Sequence, residues 1–547
     1  MMLAATRSIA SCKRKSTEYV RLDSIALWTG LAFAAGLLWR VVRFALAFPL
    51  WGDEAYVAVN LITRDLAGLA QPLEYFQIAP PAFLLTEWLA VWALGAGELS
   101  LRLFPFLAGV VSLGLFWRFC RTTTTRRTTL LAVAILAASF YPVRHSTEVK
   151  PYAIDMLVAL LLLAAAWKTE RTPQSWRPWL VLSAVAAVGV WFSYAAALSA
   201  FGASIFLARH VVRRHSLAVM ARFSLYALSL ALSWSVMFVT FARPQSLAAD
   251  FLPDLETWKN AFPPLGEPWK LPTWLIDVHT GNMLAYPYGA NNFGSALSTC
   301  LVISGIIRMA SRPARRPLLA LLLSPLPPAL AAAALGAYPY GTSARVMLYM
   351  APAFCLLIAE GIMLIFARAR QTARGPIAVA AVLTVVALVC MAANIAAPYK
   401  AYDDLLHRAV AQRLNERSRP GDQWIVFNGA TPPPRVPNLM VLPLLQRVGE
   451  AHYYLLKYAP VPVRWEPNPE SIVPGQANRF WLIVQNHGDT NYFPVDRLAE
   501  FRRTLEARLG PAEETMHFDL PRGETWSIAL YHPARAQYRL PVAVHAN

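Results

Sequence analysis

Residues 24–56 read SIALWTGLAFAAGLLWRVVRFALAFPLWGDEAY, and this stretch decides how the rest of the chain is read. A helix needs roughly 20 apolar residues to cross a bilayer. The run from Ser24 to Leu50 supplies them. The basic tail before it (Arg7, Lys13, Arg14, Lys15) and the small residues Ala45-Leu46-Ala47 after it imitate a secretory leader. A leader's apolar segment is roughly 7–15 residues long and uncharged, whereas this one is longer and carries Arg40 and Arg43. It is read as a retained first span. The span ends on Trp51-Gly52-Asp53-Glu54-Ala55-Tyr56, which sets two adjacent carboxylates at the edge of hydrocarbon.

The pattern recurs along the chain. Hydrophobic residues make up 56% of its 547 positions and charged residues 15%, against about a quarter charged in a soluble domain. The candidate spans are 24–48, 99–119, 128–143, 152–167, 178–193, 195–208, 219–243, 293–309, 317–336, 344–366 and 376–397, about eleven in all. A further apolar stretch, 80–96, is short and contains Pro80, Pro81 and Glu87.

The formal net charge of +18 by itself fits nucleic-acid binding. Its distribution removes that reading. Six clusters hold 23 of the 50 Lys and Arg with three acids: residues 1–23, 118–127, 168–177, 209–222, 308–316 and 368–374. The remainder, 27 basic and 29 acidic residues, is close to neutral. Basic residues concentrate in the cytoplasmic loops of membrane proteins. All six clusters fall on one side only if 80–96 lies along the outer membrane surface instead of crossing. The outward segments are then 49–98, 144–151, 244–292, 337–343 and everything after Ala397.

The expected organisation is a cytoplasmic basic tail (1–23), an α-helical polytopic membrane domain (24–397) and an outer α/β domain (398–547). In the last, 423–428 and 479–485 read as buried strands, and 403–417 and 494–508 as helices. Cys12, Cys120, Cys300, Cys355 and Cys390 lie in the basic tail or in and beside apolar runs, with no CxxC spacing. That excludes a disulfide framework and a zinc knuckle.

Four polar constellations face the outer side in this topology. Asp53 and Glu54 come first. A carboxylate near hydrocarbon is costly unless paired or hydrogen-bonded, and its raised pKa suits a general base. Asp53 also suits an N-cap for a helix starting near Glu54, and the two readings are compatible. The second is Arg144-His145-Ser146-Thr147-Glu148-Val149-Lys150-Pro151-Tyr152, with Asp155 one turn into the next span. Its cations fit a phosphate or, equally, an interfacial cluster paired with Glu148. The third is Tyr338-Pro339-Tyr340-Gly341-Thr342-Ser343-Ala344-Arg345, which puts a cation at the outward start of a span. The fourth is Glu74 to Pro81, where Gln77 suits orientation of a sugar or hydroxyl, or is plain loop. The loop 244–292, rich in Trp, Tyr and Pro, suits an acceptor platform or lid, with His279 as a structural residue. No HExxH, P-loop, GxSxG or dinucleotide fingerprint occurs.

Asp53-Glu54 after the first span, Gln77 with Pro80-Pro81, Glu148-x-Lys150-Pro151-Tyr152 and Arg345 opening a late span resemble the GT-C glycosyltransferases over roughly 24–397. The nearest subgroup is the bacterial relatives of protein O-mannosyltransferases and of the lipid A aminoarabinose transferase, family 39-like. The C-terminal α/β domain is similar to those of bacterial members. The resemblance implies a polyprenyl-phosphate-linked monosaccharide donor and inverting transfer to an acceptor hydroxyl of an envelope glycan, lipid or protein, at the outer face of a bacterial inner membrane. Asp53 would be the general base, with Glu54 in support. Lys150, Arg345 and Arg144 would bind the donor phosphate, and Gln77, Glu148, Tyr152 and Tyr340 would position substrate. No cofactor is required by the motifs. The family leaves room for a divalent cation near Asp53, although the second outer loop lacks a DxD motif. The other readings are a transporter or lipid flippase, since intramembrane charges also mark ion paths, and a non-catalytic envelope scaffold. Sugar, acceptor and polyprenyl length are not legible in these residues.

Overall fold

The computed structural model describes residues 2–214, 216–249, 258, 260–288, 295–369, 374–427, 441–465, 468–486, 495–520 and 523–533, with backbone alone at 2–23, 210, 214, 441–449 and 475. It divides into two compact units. One comprises residues 1–47 and 64–398, the other residues 48–63 and 399–547. The segment 48–63 was expected as part of an outer loop of the membrane domain. It packs instead with the C-terminal α/β elements.

The helices, in chain order, are α1 (Met2–Ala45), α2 (Gly52–Thr63), α3 (Leu66–Leu69), α4 (Pro81–Leu94), α5 (Leu103–Thr123), α6 (Arg126–Ala138), α7 (Phe140–His145), α8 (Tyr152–Arg171), α9 (Trp176–Phe192), α10 (Ala195–Arg214), α11 (Leu217–Met237), α12 (Arg243–Ala248), α13 (Leu271–Thr280), α14 (Ala296–Ala310), α15 (Arg316–Leu323), α16 (Leu326–Ala334), α17 (Ala351–Arg368) and α18 (Arg374–Ala396). The C-terminal residues add α19 (Tyr402–Arg417), α20 (Val441–Tyr458) and α21 (Val495–Leu509), with strands β1 (Asp422–Phe427), β2 (Val463–Trp465), β3 (Arg479–Asn486), β4 (Glu514–Asp519) and β5 (Thr525–Tyr531).

Among the described residues eight helices are long and apolar enough to cross a membrane: Ser24–Ala45, Ser100–Thr123, Tyr152–Arg171, Ala195–Arg213, Leu217–Ala248, Pro313–Ala334, Leu348–Arg368 and Arg374–Ala396. The three other expected spans are present as the shorter α9 and α14, and as α6 and α7 broken at Ser139. Proline in the last segment helps explain the break, because Pro142 has no amide hydrogen to continue the ladder. The stretch 80–96 is α4, with Pro81 at its first turn. Its 14 residues rise about 21 Å, less than the roughly 30 Å of a hydrocarbon core.

Lipid tails are as apolar as leucine, so membrane helices associate through close backbone approach at small residues. The crossing of α14 and α17 shows this. A Cβ on Gly305 would run into the carbonyl of Leu357, and one on Gly361 into that of Leu301. One turn further, buried Arg308 donates to Glu360 (2.7 Å) and to the carbonyl of Met363 (2.8 Å). At the end of α1 nearest residue 45, Arg43 Nε donates to Thr147 Oγ1 (2.9 Å) and Nη1 to Asn394 Oδ1 (3.1 Å). These bonds tie α1, α18 and the 144–151 loop together.

The second unit is built on a five-stranded sheet in the order β2-β1-β3-β5-β4. β1 runs parallel to β2 and β3, while β5 is antiparallel to β3 and β4. β1 is buried at every position and β3 at all but its ends, with Trp424 opposite Trp481. Burial on both faces explains their continuous apolar runs. Ile425, Phe427, Phe480, Leu482 and Val484 form the core with Phe501, Leu505 and Leu509 of α21. The expected β1, β3, α19 and α21 are all present. Asn428 and residue 494, which were included in two of those ranges, lie outside the described residues.

His407 of α19 sits fully buried between two carboxylates, with Nε2 3.0 Å from Glu524 Oε1 and Nδ1 3.0 Å from Glu450 Oε2. Burial lowers the imidazole pKa, but the two carboxylates outweigh it and push it up to about 10. A pKa raised from about 6.5 gives stability that is complete below that value and is lost as pH rises towards 10. Amide exchange in α19 and α20 is therefore expected to accelerate between pH 7 and 10. The variant His407→Gln should be destabilised at pH 6 and show a flatter profile. An unchanged pH profile in that variant would remove His407 as the cause.

Candidate active site

The acidic pair belongs to the second unit. α2 begins at Gly52, so Asp53 lies inside the first helical turn and is not the N-cap anticipated for a helix starting near Glu54. The amide of Glu54 donates to the carbonyl of Trp51 (2.8 Å), which closes that turn. Glu54 is fully buried, and its Oε2 accepts from Lys400 Nζ at 2.7 Å. The Lys400 ammonium also lies 5.1 Å from the centre of the Trp51 ring. The start of the segment is fixed by the hydroxyl of Tyr454, which accepts from the amide of Leu50 (2.7 Å). The adjacent carboxylates are thereby distinguished. Glu54 is fully buried in an ion pair, and Asp53 is half-buried.

The remaining candidates belong to the first unit, and most of them cluster. Between α7 and α8, residues 145–151 are all buried, which is unusual for a polar loop. Two backbone bonds shape it, Thr147 N–H to Arg144 O (3.0 Å) and Lys150 N–H to Glu148 O (2.8 Å). Glu148 accepts from Arg144 Nε at 2.9 Å, and its other oxygen meets His145 Nδ1. Burial holds the imidazole below its ordinary range against the pull of Glu148, and the charges of Arg144 and Arg345 act in the same direction as burial. Tyr152 packs edge-on against the His145 ring, 5.2 Å between centroids. Arg345 is thus within electrostatic reach of His145, and its guanidinium lies 5.2 Å from the Trp258 ring centre.

Lys150 Nζ donates to Gln77 Oε1 at 2.6 Å, and Gln77 Nε2 donates to the carbonyl of Tyr75 (3.0 Å). Gln77, anticipated as a sugar-orienting amide, therefore holds the lysine. Tyr340 is buried, with its hydroxyl 3.3 Å from His279 Nε2 and its ring against Trp274. His279 Nδ1 also lies 2.7 Å from the carbonyl of Leu275, which fits its expected structural role.

Residues 79–238 match the family model described as dolichyl-phosphate-mannose-protein mannosyltransferase. The solved structure of ArnT from Cupriavidus metallidurans in the apo state is 12% identical, with a TM-score of 0.51, over 95% of this chain and 98% of that one. The same protein bound to undecaprenyl phosphate gives 0.50 at 12% identity, over 91% and 97%. The chain has a GT-C fold. The GT-C likeness spans both units and, with the eight apolar helices, makes this a multi-pass membrane protein. An oligosaccharyltransferase from Archaeoglobus fulgidus is also 12% identical, covering 96% of this chain and 75% of that one, with a TM-score of 0.48. No curated protein sequence matches the chain.

Two residues that contact the candidate side chains, one in each unit, escaped the sequence reading. Lys400 is 346 positions from Glu54, and its only signal was a cation just past the last apolar run, in a segment expected outside, where cations are depleted. His145 lay inside a quoted motif without a role, yet it shares Glu148 with Arg144. Among the described residues no group of three or more His, Cys, Asp or Glu side chains has the arrangement to hold a metal ion. The Glu54 carboxylate that would help Asp53 bind a divalent cation is engaged by Lys400.

Removing one member of a buried ion pair leaves an uncompensated charge, which typically destabilises by about 3–5 kcal/mol. Glu54→Gln and Lys400→Met should therefore each lower the melting temperature of the purified protein, and the double variant should recover part of the loss. Strict additivity of the two losses would show that Glu54 and Lys400 do not act as a pair.

Proposed function

We propose that this protein transfers a monosaccharide, with inversion, from a polyprenyl-phosphate carrier to an acceptor hydroxyl at the outer face of a bacterial inner membrane. The observation carrying the proposal is the buried 145–151 loop, where Arg144 and His145 share Glu148 and Gln77 aims Lys150. Glu54 is paired with Lys400 inside the protein, and Asp53, which keeps exposed surface, is the carboxylate we assign to proton transfer. The GT-C fold, and an ArnT structure bound to undecaprenyl phosphate, support the choice of carrier. The N-terminal tail would be cytoplasmic and residues 398–547 outside.

In the reaction the acceptor oxygen forms a bond to the anomeric carbon as the bond from that carbon to the phosphate oxygen breaks. The bonding pair leaves with the phosphate, and the acceptor proton passes to Asp53. The polyprenyl phosphate gains negative charge as it departs, so fixed cations accelerate the step most when they face that charge. Lys150, Arg345 and Arg144 take this role. Lys150 acts as a point charge aimed by Gln77, while Arg345 presents a planar fork braced on Trp258. Glu148 and Tyr152 position the loop through Arg144 and His145, and Tyr340 lines the far side through His279. No step requires a divalent cation.

The test is transfer from polyprenyl-phosphate sugars by purified protein. General-base loss typically reduces rates about 10²–10⁴-fold, so Asp53→Asn should retain at most about a hundredth of the wild-type kcat. Lys150→Met and Arg345→Met should weaken donor use, with Arg345→Lys intermediate because it keeps charge without the fork. Full transfer by Asp53→Asn would exclude it as the base. Consumption of no lipid-linked sugar by the wild type would overturn the enzyme reading.

A further inference from the structure

Two residues outside every motif discussed so far hold the backbone next to Gln77. The turn leading to Gln77 is strained, since Tyr75 (φ 57°) and Phe76 (φ 55°) are consecutive non-glycine residues in the left-handed region. Such conformations cost of order 1–3 kcal/mol each and persist only where surrounding structure over-determines them. The restraint is at Ala79. Its amide donates to Gln245 Oε1 (3.0 Å), and its carbonyl accepts from Gln245 Nε2 (3.1 Å) and from the Tyr194 hydroxyl (3.1 Å). The same hydroxyl lies 3.2 Å from Gln245 Oε1. Both polar groups of one buried peptide segment are thus satisfied by one side-chain amide, which is itself 2% exposed.

Gln245 is the only buried residue in α12. The chain enters that helix from a π-helical segment, Phe238–Ala242. Inserting a residue in this way rotates everything that follows relative to α11, and such segments concentrate at functional sites. Pro80 and Pro81 close the other end of the turn, with Pro81 in the first turn of α4. Gln77 therefore stands between a strained pair of residues and a fixed peptide, and it holds Lys150 at 2.6 Å.

We propose that Gln245, assisted by Tyr194, is a positioning residue for the phosphate-binding lysine. It acts through the chain Gln245–Ala79–Gln77–Lys150 and makes the aim of Lys150 depend on the start of the long 244–292 loop. The inference rests on the reading of Lys150 as a ligand of the carrier phosphate.

The experiment is direct binding of undecaprenyl phosphate to the purified full-length protein in detergent. It compares wild type, Gln245→Met, Lys150→Met and the double variant, with Tyr194→Phe as a milder lesion and melting temperature as a folding control. Gln245→Met should weaken binding about tenfold and Tyr194→Phe by less, as expected for loss of buried hydrogen bonds. The double variant should bind within about twofold of Lys150→Met, because residues acting through one another are non-additive. Undiminished binding by folded Gln245→Met and Tyr194→Phe overturns the proposal. So does a double variant in which the two losses multiply, the signature of a merely structural role. Wild-type binding by Lys150→Met fails in a different arm: it removes the phosphate reading itself, and the positioning role with it.

Discussion

An ionised side chain withdrawn from water has to be met by an opposite charge or by hydrogen bonds, and this requirement shapes both units of the protein. Glu54 and Lys400 meet at 2.7 Å with less than a tenth of either side chain exposed. Glu148 meets Arg144 and His145, and Glu360 meets Arg308. A buried pair of this kind adds little net stability, since desolvation offsets most of the attraction, but breaking one is severe. Its contribution is geometric. Glu54 is held by Lys400 at the start of α2, which fixes the turn that carries Asp53. Gln77 orients Lys150 through a neutral amide, so that contact aims the ammonium without removing its charge.

The same requirement explains why the fold was largely legible. Arginine is expensive in hydrocarbon and cheap beside it, so the six basic clusters delimited the apolar runs before any geometry was known. The apolar runs between them became helices, including α4 as a short one beginning at Pro81. Strands β1 and β3 were legible because burial on both faces forces unbroken apolar sequence. β4, at the sheet edge, has no fully buried position, and its sequence ETMHFD carries no such run. The helix α20 was missed for a different reason. Its sequence opens VLPLL, and a proline near the start of an apolar run reads equally well as an edge strand.

The candidate residues were legible as charges, and their partners were not. Asp53, Glu54, Lys150 and Arg345 stood out because each is a charge at an apolar boundary. Lys400, Arg43 and Gln245 contact residues 346, 104 and 166 positions away, and no local pattern encodes such a separation. The assignment of residues 48–63 to the C-terminal unit was hidden for the same reason. Sequence proximity to α1 placed them with the membrane helices, whereas burial of α2 and the Glu54–Lys400 bond place them with residues 399–547.

The lipid-linked donor we propose would also dictate where the site must be. Its phosphate needs cations and water, and its tail needs hydrocarbon, so the reacting bond is confined to the membrane boundary. Chain is hard to hold there, because an irregular loop at that depth must satisfy every backbone polar group internally. The 145–151 loop does so by burying its whole length around Glu148. The Tyr75–Pro81 turn does so by giving the peptide groups of Ala79 to Gln245 and Tyr194. The strain at Tyr75 and Phe76 follows from this arrangement: a turn fixed at Ala79 and bonded to Lys150 has few conformations left, and the left-handed one is adopted because its neighbours hold it.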